Sequence, residues 1–260
     1  MIKLFVSEHF MFDNISSSEK GVISVTQDSD VLNEYGFIYS EELEIDNTYN
    51  NNPYYYSKSD KSTEDIYINL CRVDNMYNPI EWDDYTIEDI YSWLIKKDFK
   101  PFVSDDNVEL TYYLKVKKIV KKFNIDKKGL LEITFQPYTN YSYRKLKKAV
   151  TIKKNREVTV TNYSNLDTNY APILEIKNLS DEDITVENIT IKSERLEIAG
   201  LKLNEKIIID NLMYTVLDEN KNNRFNLVNR KWIELKKGEN TLKFTGNCEV
   251  IINAEYPIAR

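Results

Sequence analysis

The sequence predicts a mainly β protein with one helix in its N-terminal half, and three observations carry that prediction. Short runs rich in Val, Ile, Thr, Tyr and Phe recur along the chain, alternating with polar residues or bounded by turn formers. One segment, Thr86–Lys97, repeats its apolar residues at helical spacing instead. The chain has 260 residues, 42 % of them hydrophobic and 30 % charged, enough to bury a core in one large domain or two modest ones.

The helix comes first among the clear elements. Thr86 reads as its N-cap, with Glu88 and Asp89 placing negative charge at the positive end of the helix dipole. Ile87, Ile90, Tyr91, Leu94 and Ile95 form one apolar stripe, Lys96 and Lys97 suit the last turn, and Pro101 stops any continuation. Trp93 lies off that stripe and reads as an ordinary, partly buried aromatic.

A long hairpin follows. From Tyr112 onward, Leu114, Val116 and the Ile119 region oppose Lys115 and Lys117. Leu131, Ile133 and Phe135 then share one face of a second strand, which Pro137 ends. Between them lies Lys127-Lys128-Gly129, where glycine accepts a left-handed turn conformation. Lysines along the polar side discourage uncontrolled edge pairing.

After Tyr143 the charged passage Arg144–Lys148 places a domain boundary near residue 148, giving domains 1–148 and 149–260. The second domain reads as many short strands with no helical pattern, which predicts a β-sandwich. The runs are 157–161, 173–176, 184–186, 189–191, 196–198, 207–209, 212–216, 232–235, 240–244 and 249–252. Asp210-Asn211 and Lys237-Gly238-Glu239 read as hairpin turns.

Charge is unevenly spread. Residues 1–110 carry eight Lys/Arg against twenty-three Asp/Glu, whereas residues 111–150 carry eleven against two. Solvated faces account for most single charges of this kind. The segment also reads as a surface meeting the opposite charge on a neighbouring copy, with Lys115, Lys117 and Lys118 as the candidate contacts. Sequence-specific nucleic-acid binding fits poorly with a pI near 5.1.

Several function classes find no support. No apolar run approaches the ~18 residues of a membrane span, and the opening residues meet a charge too early for a signal-peptide core. Two cysteines, Cys71 and Cys248, and the single His9 supply neither a disulfide framework nor a metal cluster; buried thiols in a reducing cytoplasm are expected. The six glycines are dispersed, so no phosphate cradle appears. The paired acids Asp83-Asp84, Asp105-Asp106 and 181–183 read as solvated turn residues. No catalytic, cofactor-binding or metal-ligating residue is assigned, and no enzyme is expected. Tyr54, Tyr55 and Tyr56, in the polar stretch 47–62, and Trp232 are candidate sugar-stacking residues, beside the alternatives of a mobile loop and an ordinary buried strand Trp.

The order of these pieces resembles the distal tail proteins of long, non-contractile-tailed bacteriophages. The first half carries the resemblance in Tyr91-Ser92-Trp93-Leu94, Phe99-Lys100-Pro101-Phe102, Asp105-Asp106, Tyr112-Tyr113 and the run from Gly129 to Tyr138. The second half carries it in Asn162-Tyr163-Ser164-Asn165, Tyr170-Ala171-Pro172, Ile207–Asp210 and Asn229–Leu235 with Gly238-Glu239-Asn240. The resemblance implies a homo-hexameric ring of N-terminal domains with outward galectin-like sandwiches. It implies a central channel for DNA, and as partners the tail tube protein, the tape-measure protein, the tail-tip hub protein and receptor-binding proteins. The expected location is the virion tail, after synthesis in the host cytoplasm, with no membrane association and no cofactor. A carbohydrate-binding adhesin is the alternative, a cell-wall hydrolase a third class, and the tail of a contractile particle or defective prophage a nearer relative.

Overall fold

The computed structural model describes residues 7–25 and 65–259. They fall into two compact units that divide between Ser142 and Tyr143.

The first unit contains β1 (Phe10–Phe12), β2 (Ile15–Ser16), β3 (Val22–Val25), β4 (Ile66–Arg72), α1 (Asp84–Leu94), β5 (Lys100–Ser104), β6 (Leu110–Phe123) and β7 (Gly129–Pro137). Its strands pair antiparallel in the order β2-β1-β5-β6-β7-β4-β3. Ser24 N–H donates to Glu8 C=O (2.7 Å), so the sheet curls until β3 returns to the residues before β1. Alternation decides the faces. Leu131, Ile133 and Phe135 of β7 all turn inward, as their period-two spacing requires.

The core of this unit is aromatic. Phe10 stacks on Phe102 (4.9 Å) and on Trp93 (5.7 Å), and Phe12 meets Phe135 at 5.6 Å. Helix α1 lays Ile87, Ile90, Trp93 and Leu94 into it. The expected C-terminal end needs correcting: the helix stops at Leu94, so Ile95, 58 % exposed, is its C-cap and Lys96 and Lys97 lie beyond its last turn. Two further expectations fail. The N-cap is Asp83, whose carboxylate accepts from the backbone N–H (2.7 Å) and the hydroxyl (3.0 Å) of Thr86, so Thr86 is the residue capped and not the cap. Trp93 is 2 % exposed, and its Nε1 donates to Phe12 C=O (2.9 Å); a third apolar row fills the space between the helix and β1.

The second unit is a two-layer sandwich. One layer is ordered β14 (Thr215–Asp218), β13 (Lys206–Asp210), β10 (Ile173–Asn178), β16 (Cys248–Ala259) and β8 (Tyr141–Ile152). The other is ordered β12 (Leu196–Ile198), β11 (Ile184–Asn188), β15 (Gly238–Thr245) and β9 (Asn155–Asn162). Leu174, Ile176, Ile207, Ile209, Val250 and Ile252 from the first layer meet Val158, Val160, Val186, Leu242 and Phe244 from the second in one buried aliphatic cluster. Each such side chain stabilises the fold by roughly 1.5–3 kcal/mol relative to exposure.

Four strand or turn expectations fail in this unit, wholly or in part. Residues 189–192 form a turn closed by Ser193, whose N–H donates to Asn188 C=O and whose hydroxyl accepts from Asn188 N–H. Leu212, Met213 and Tyr214 belong to the β13–β14 turn, because the Asp210 carboxylate accepts the N–H groups of Leu212 and Met213. The segment 232–235 is extended but makes only an isolated bridge, Tyr170 to Leu235. Lys237-Gly238-Glu239 therefore opens β15 and does not close a hairpin.

Candidate functional site

The lysine-bearing hairpin β6–β7 is the most unusual surface of the first unit. Its register shifts between Val116 and Lys118, where β6 carries one extra residue opposite β7. Lys117 and Lys118 are exposed there and Lys115 is half-buried. Lys117 reaches Asp65 (2.7 Å), and the hydrogen bond with that carboxylate pushes the lysine pKa up. Lys118 enters no ion pair among the described residues. Farther out, Lys122 pairs with Glu132 and Lys121 sits over the Tyr91 ring (5.4 Å).

The end of the hairpin is fixed from two sides. Trp82, fully buried, stacks on Phe123 (5.8 Å). Its backbone N–H donates to Lys127 C=O (2.9 Å) and its Nε1 to Gly129 C=O (3.0 Å). The turn has two residues at positive φ, Lys127 at 53° and Gly129 at 152°. Glycine is needed at 129 for space as well: a Cβ on it would lie 2.0 Å from the Lys122 carbonyl oxygen.

This turn has a twin. In Asn124–Lys128 the Asn124 side-chain oxygen accepts from the N–H groups of Asp126 and Lys128. In Asp74–Asn78 the Asp74 carboxylate accepts from the N–H groups of Met76 and Asn78 and from the Asn78 side chain, and these bonds hold its pKa below the usual aspartate range. Both turns put their fourth residue, Tyr77 or Lys127, in the left-handed region. They leave the same end of the sheet on neighbouring strands, since β4 pairs with β7 up to Cys71 opposite Leu130.

In the second unit Trp232 sits on a segment held by buried asparagine side chains. Asn211 accepts from Ile233 N–H (2.8 Å) and donates to Pro172 C=O (2.6 Å). Asn188 donates to Glu234 C=O (2.6 Å), Asn162 donates to Leu235 C=O (3.1 Å), and Asn240 accepts from Lys236 N–H (3.0 Å). All four are at most 2 % exposed. Their side chains replace the missing ladder. Trp232 itself is half-buried, with Phe225 stacked beside it (6.0 Å) and Tyr214 at its edge (5.2 Å). Tyr54, Tyr55 and Tyr56 lie outside the described residues.

Catalytic arrangements are poorly served. His9 Nδ1 lies 3.3 Å from Ser17 Oγ, but Ser17 is fully buried and its oxygen also accepts from Phe10 N–H. A groove of about 380 Å³ on the β8-β16-β10-β13 face is lined by Ala149, Thr151, Glu175, Lys206, Glu249 and Ile251. There Glu175 accepts from Lys206 (2.7 Å) and Asn253 (2.7 Å), which keep its pKa low, so it serves as a structural anion. Cys71 and Cys248 are buried thiols, and burial pushes the Cys248 pKa up to about 12. Among the described residues no three His, Cys, Asp or Glu side chains converge on a point.

Comparison with known proteins adds a context to this geometry. Residues 5–139 match a family profile described as a phage tail protein N-terminal domain, and residues 141–254 one described as a phage tail C-terminal domain. A protein of Bacillus subtilis (strain 168), described as the SPbeta prophage-derived uncharacterized protein YomH, is 25 % identical over 256 residues, covering 96 % of this chain and 97 % of that one. Among solved structures the fold is similar to the SPP1 Dit protein, a hub of the adsorption apparatus in phages that infect Gram-positive bacteria. The TM-score is 0.63 at 12 % identity, over 95 % of this chain and 98 % of that one. A chain of the phage P2 baseplate in its activated conformation matches with a TM-score of 0.50 at 12 % identity, over 96 % and 98 % of the two chains.

Proposed function

The chain belongs to the phage tail protein family defined by these two domains, and from that premise we propose that it is the structural hub at the end of a tail tube. Six copies form a ring through their N-terminal domains, around a channel wide enough for DNA. The C-terminal sandwiches, galectin-like in this reading, point outward. The ring joins the tail tube and tape-measure proteins to the tail-tip hub protein and carries receptor-binding proteins. It is a structural component of the virion tail and not an enzyme.

The observation that supports this reading most is the correspondence of fold across both units, over 95 % of this chain and 98 % of the SPP1 hub. Closure into a ring requires each copy to present two unlike patches, one given and one received. The acidic first 110 residues and the basic stretch 111–150 supply patches of opposite sign. Native mass spectrometry and negative-stain imaging of the purified full chain test the proposal. Hexamers and six-fold annuli with peripheral lobes are expected. A folded protein that stays monomeric at high concentration, alone and with its tail partners, defeats it. Lys115, Lys117 and Lys118 reversed together to Glu are expected to weaken the hexamer, most visibly at low salt.

A further inference from the structure

We propose that the groove on the outer face of the β8-β16-β10-β13 layer binds a neutral saccharide, whose hydroxyl groups bridge Lys177 and Lys206 to Glu175 and Glu249. Strand alternation places these groups together. Leu174, Ile176, Val250 and Ile252 are buried between the two layers, so Glu175, Lys177, Glu249 and Ile251 point the other way. Two ammonium groups and two carboxylates thus line about 380 Å³ of space, a volume within the ~300–1,000 Å³ of small-molecule sites. Equal numbers of opposite charges in the lining favour a neutral ligand over an ion.

Two observations set this groove apart from an ordinary row of surface charges. The first is a cross-strand pair left apart. Lys177 lies directly opposite Glu249 in the β10–β16 register, where opposite charges ordinarily meet. Neither enters an ion pair among the described residues, so both remain available to a group placed between them. The second is a fixed neighbour. Glu175 Oε2 accepts from Lys206 (2.7 Å) and Oε1 from Asn253 (2.7 Å), which hold the carboxylate in one orientation. Each of its oxygens keeps a further lone pair, and Lys206 keeps two N–H groups.

The hydroxyl is the group that answers both needs, because it accepts from an ammonium and donates to a carboxylate. A saccharide carries several on one rigid ring. Ile251 offers apolar surface to the C–H face of such a ring, and Ala149, exposed on β8, leaves space that a larger side chain would fill. No aromatic residue lines the groove, so recognition here rests on hydrogen bonds, and Trp232 is not among its walls.

The test titrates the full chain, followed by NMR, with glucose, galactose, N-acetylglucosamine and their disaccharides, and with inorganic phosphate as the ionic probe. Saturable, millimolar binding of at least one saccharide is expected, with shifts at the Ile251 methyl groups and none at the Trp232 indole. Ala149→Trp fills the groove without removing a hydrogen bond. It should weaken binding at least tenfold at unchanged melting temperature. Lys177→Met with Glu249→Leu removes the uncommitted pair and should do the same; it decides the matter if Ala149→Trp does not fold. The proposal is overturned if no saccharide of the panel binds, if phosphate alone binds, or if Trp232→Ala abolishes a binding that the groove variants retain. The ring is judged separately. Monomers that bind saccharide remove the hub reading and leave this one, and hexamers that bind none do the reverse.

Discussion

The two units reach the same end, a closed antiparallel core, by different chemistry. The first packs Phe10, Phe12, Phe102, Phe135 and Trp93 against a single helix and leaves its ends as rigid, locked turns. The second packs aliphatic residues between two sheets and inserts asparagines, each at most 2 % exposed, where a segment runs without a strand partner. Large aromatic area fixes one layer on another, whereas a buried amide fixes a backbone that pairs with nothing. The same five-residue turn appears in both units, with apolar tips (Met76, Tyr77 and Ile125) at Asp74–Asn78 and Asn124–Lys128 in the first and polar ones at Asp218–Asn222 in the second.

The comparison breaks most visibly at Trp93. Trp93→Ala should cost about 3–5 kcal/mol by leaving a cavity between α1 and β1. In urea the first unit should then unfold ahead of the second, with Trp82 fluorescence reporting the early phase and Trp232 the later one. A single unshifted transition counts against a core that depends on this ring.

Asn211→Ala is the matching test in the second unit. It strands Ile233 N–H and Pro172 C=O and should cost about 2–3 kcal/mol, with the Trp232 signal lost first. If the loss is that of an ordinary surface Asn, the amide is not what holds the segment. A smaller effect is expected at Trp82→Phe, which keeps the stack on Phe123 and loses the bond to Gly129. About 1 kcal/mol should go, and amide exchange at Lys127–Gly129 should quicken while the sheet centre stays protected.

The smallest effect is in acid. Hydrogen bonds lower the pKa of Asp74 and of Asp218, the largest contributions coming from Asn78 and Asn222. A depressed carboxylate gives stability that is present above its unfolded value, near pH 4, and is lost as pH falls through the folded value. Asn124 makes the same turn with a neutral side chain. Asp74→Asn should thus keep neutral-pH stability and flatten the acid limb of the first unit, and Asp218→Asn should do so for the second. Melting temperatures between pH 2 and pH 7 check the sign.

Where one apolar period repeats over several residues, reading residues in order succeeded. Strands β6 and β7 and the helix were legible because period-two and helical spacing repeat within a few residues. The N-cap was misplaced by three positions because Asp83 and Thr86 are both cap-forming residues and bond to each other. The run 232–235 misled because Ile and Trp favour strands, while the groups that claim its backbone are Asn162, Asn188, Asn211 and Asn240, remote along the chain. The apolar turn tips were visible as residues, but not as neighbours.

By itself the sequence determined the β-rich class, the helix and the long hairpin, because each follows from local periodicity and turn chemistry. Tertiary structure decided which β-branched runs join a ladder, that Trp93 is core, that Lys117 is occupied by Asp65, and that Met76, Tyr77 and Ile125 share one end of the sheet. Those outcomes depend on groups brought together by folding, and a one-dimensional pattern holds no record of distances between residues far apart along it.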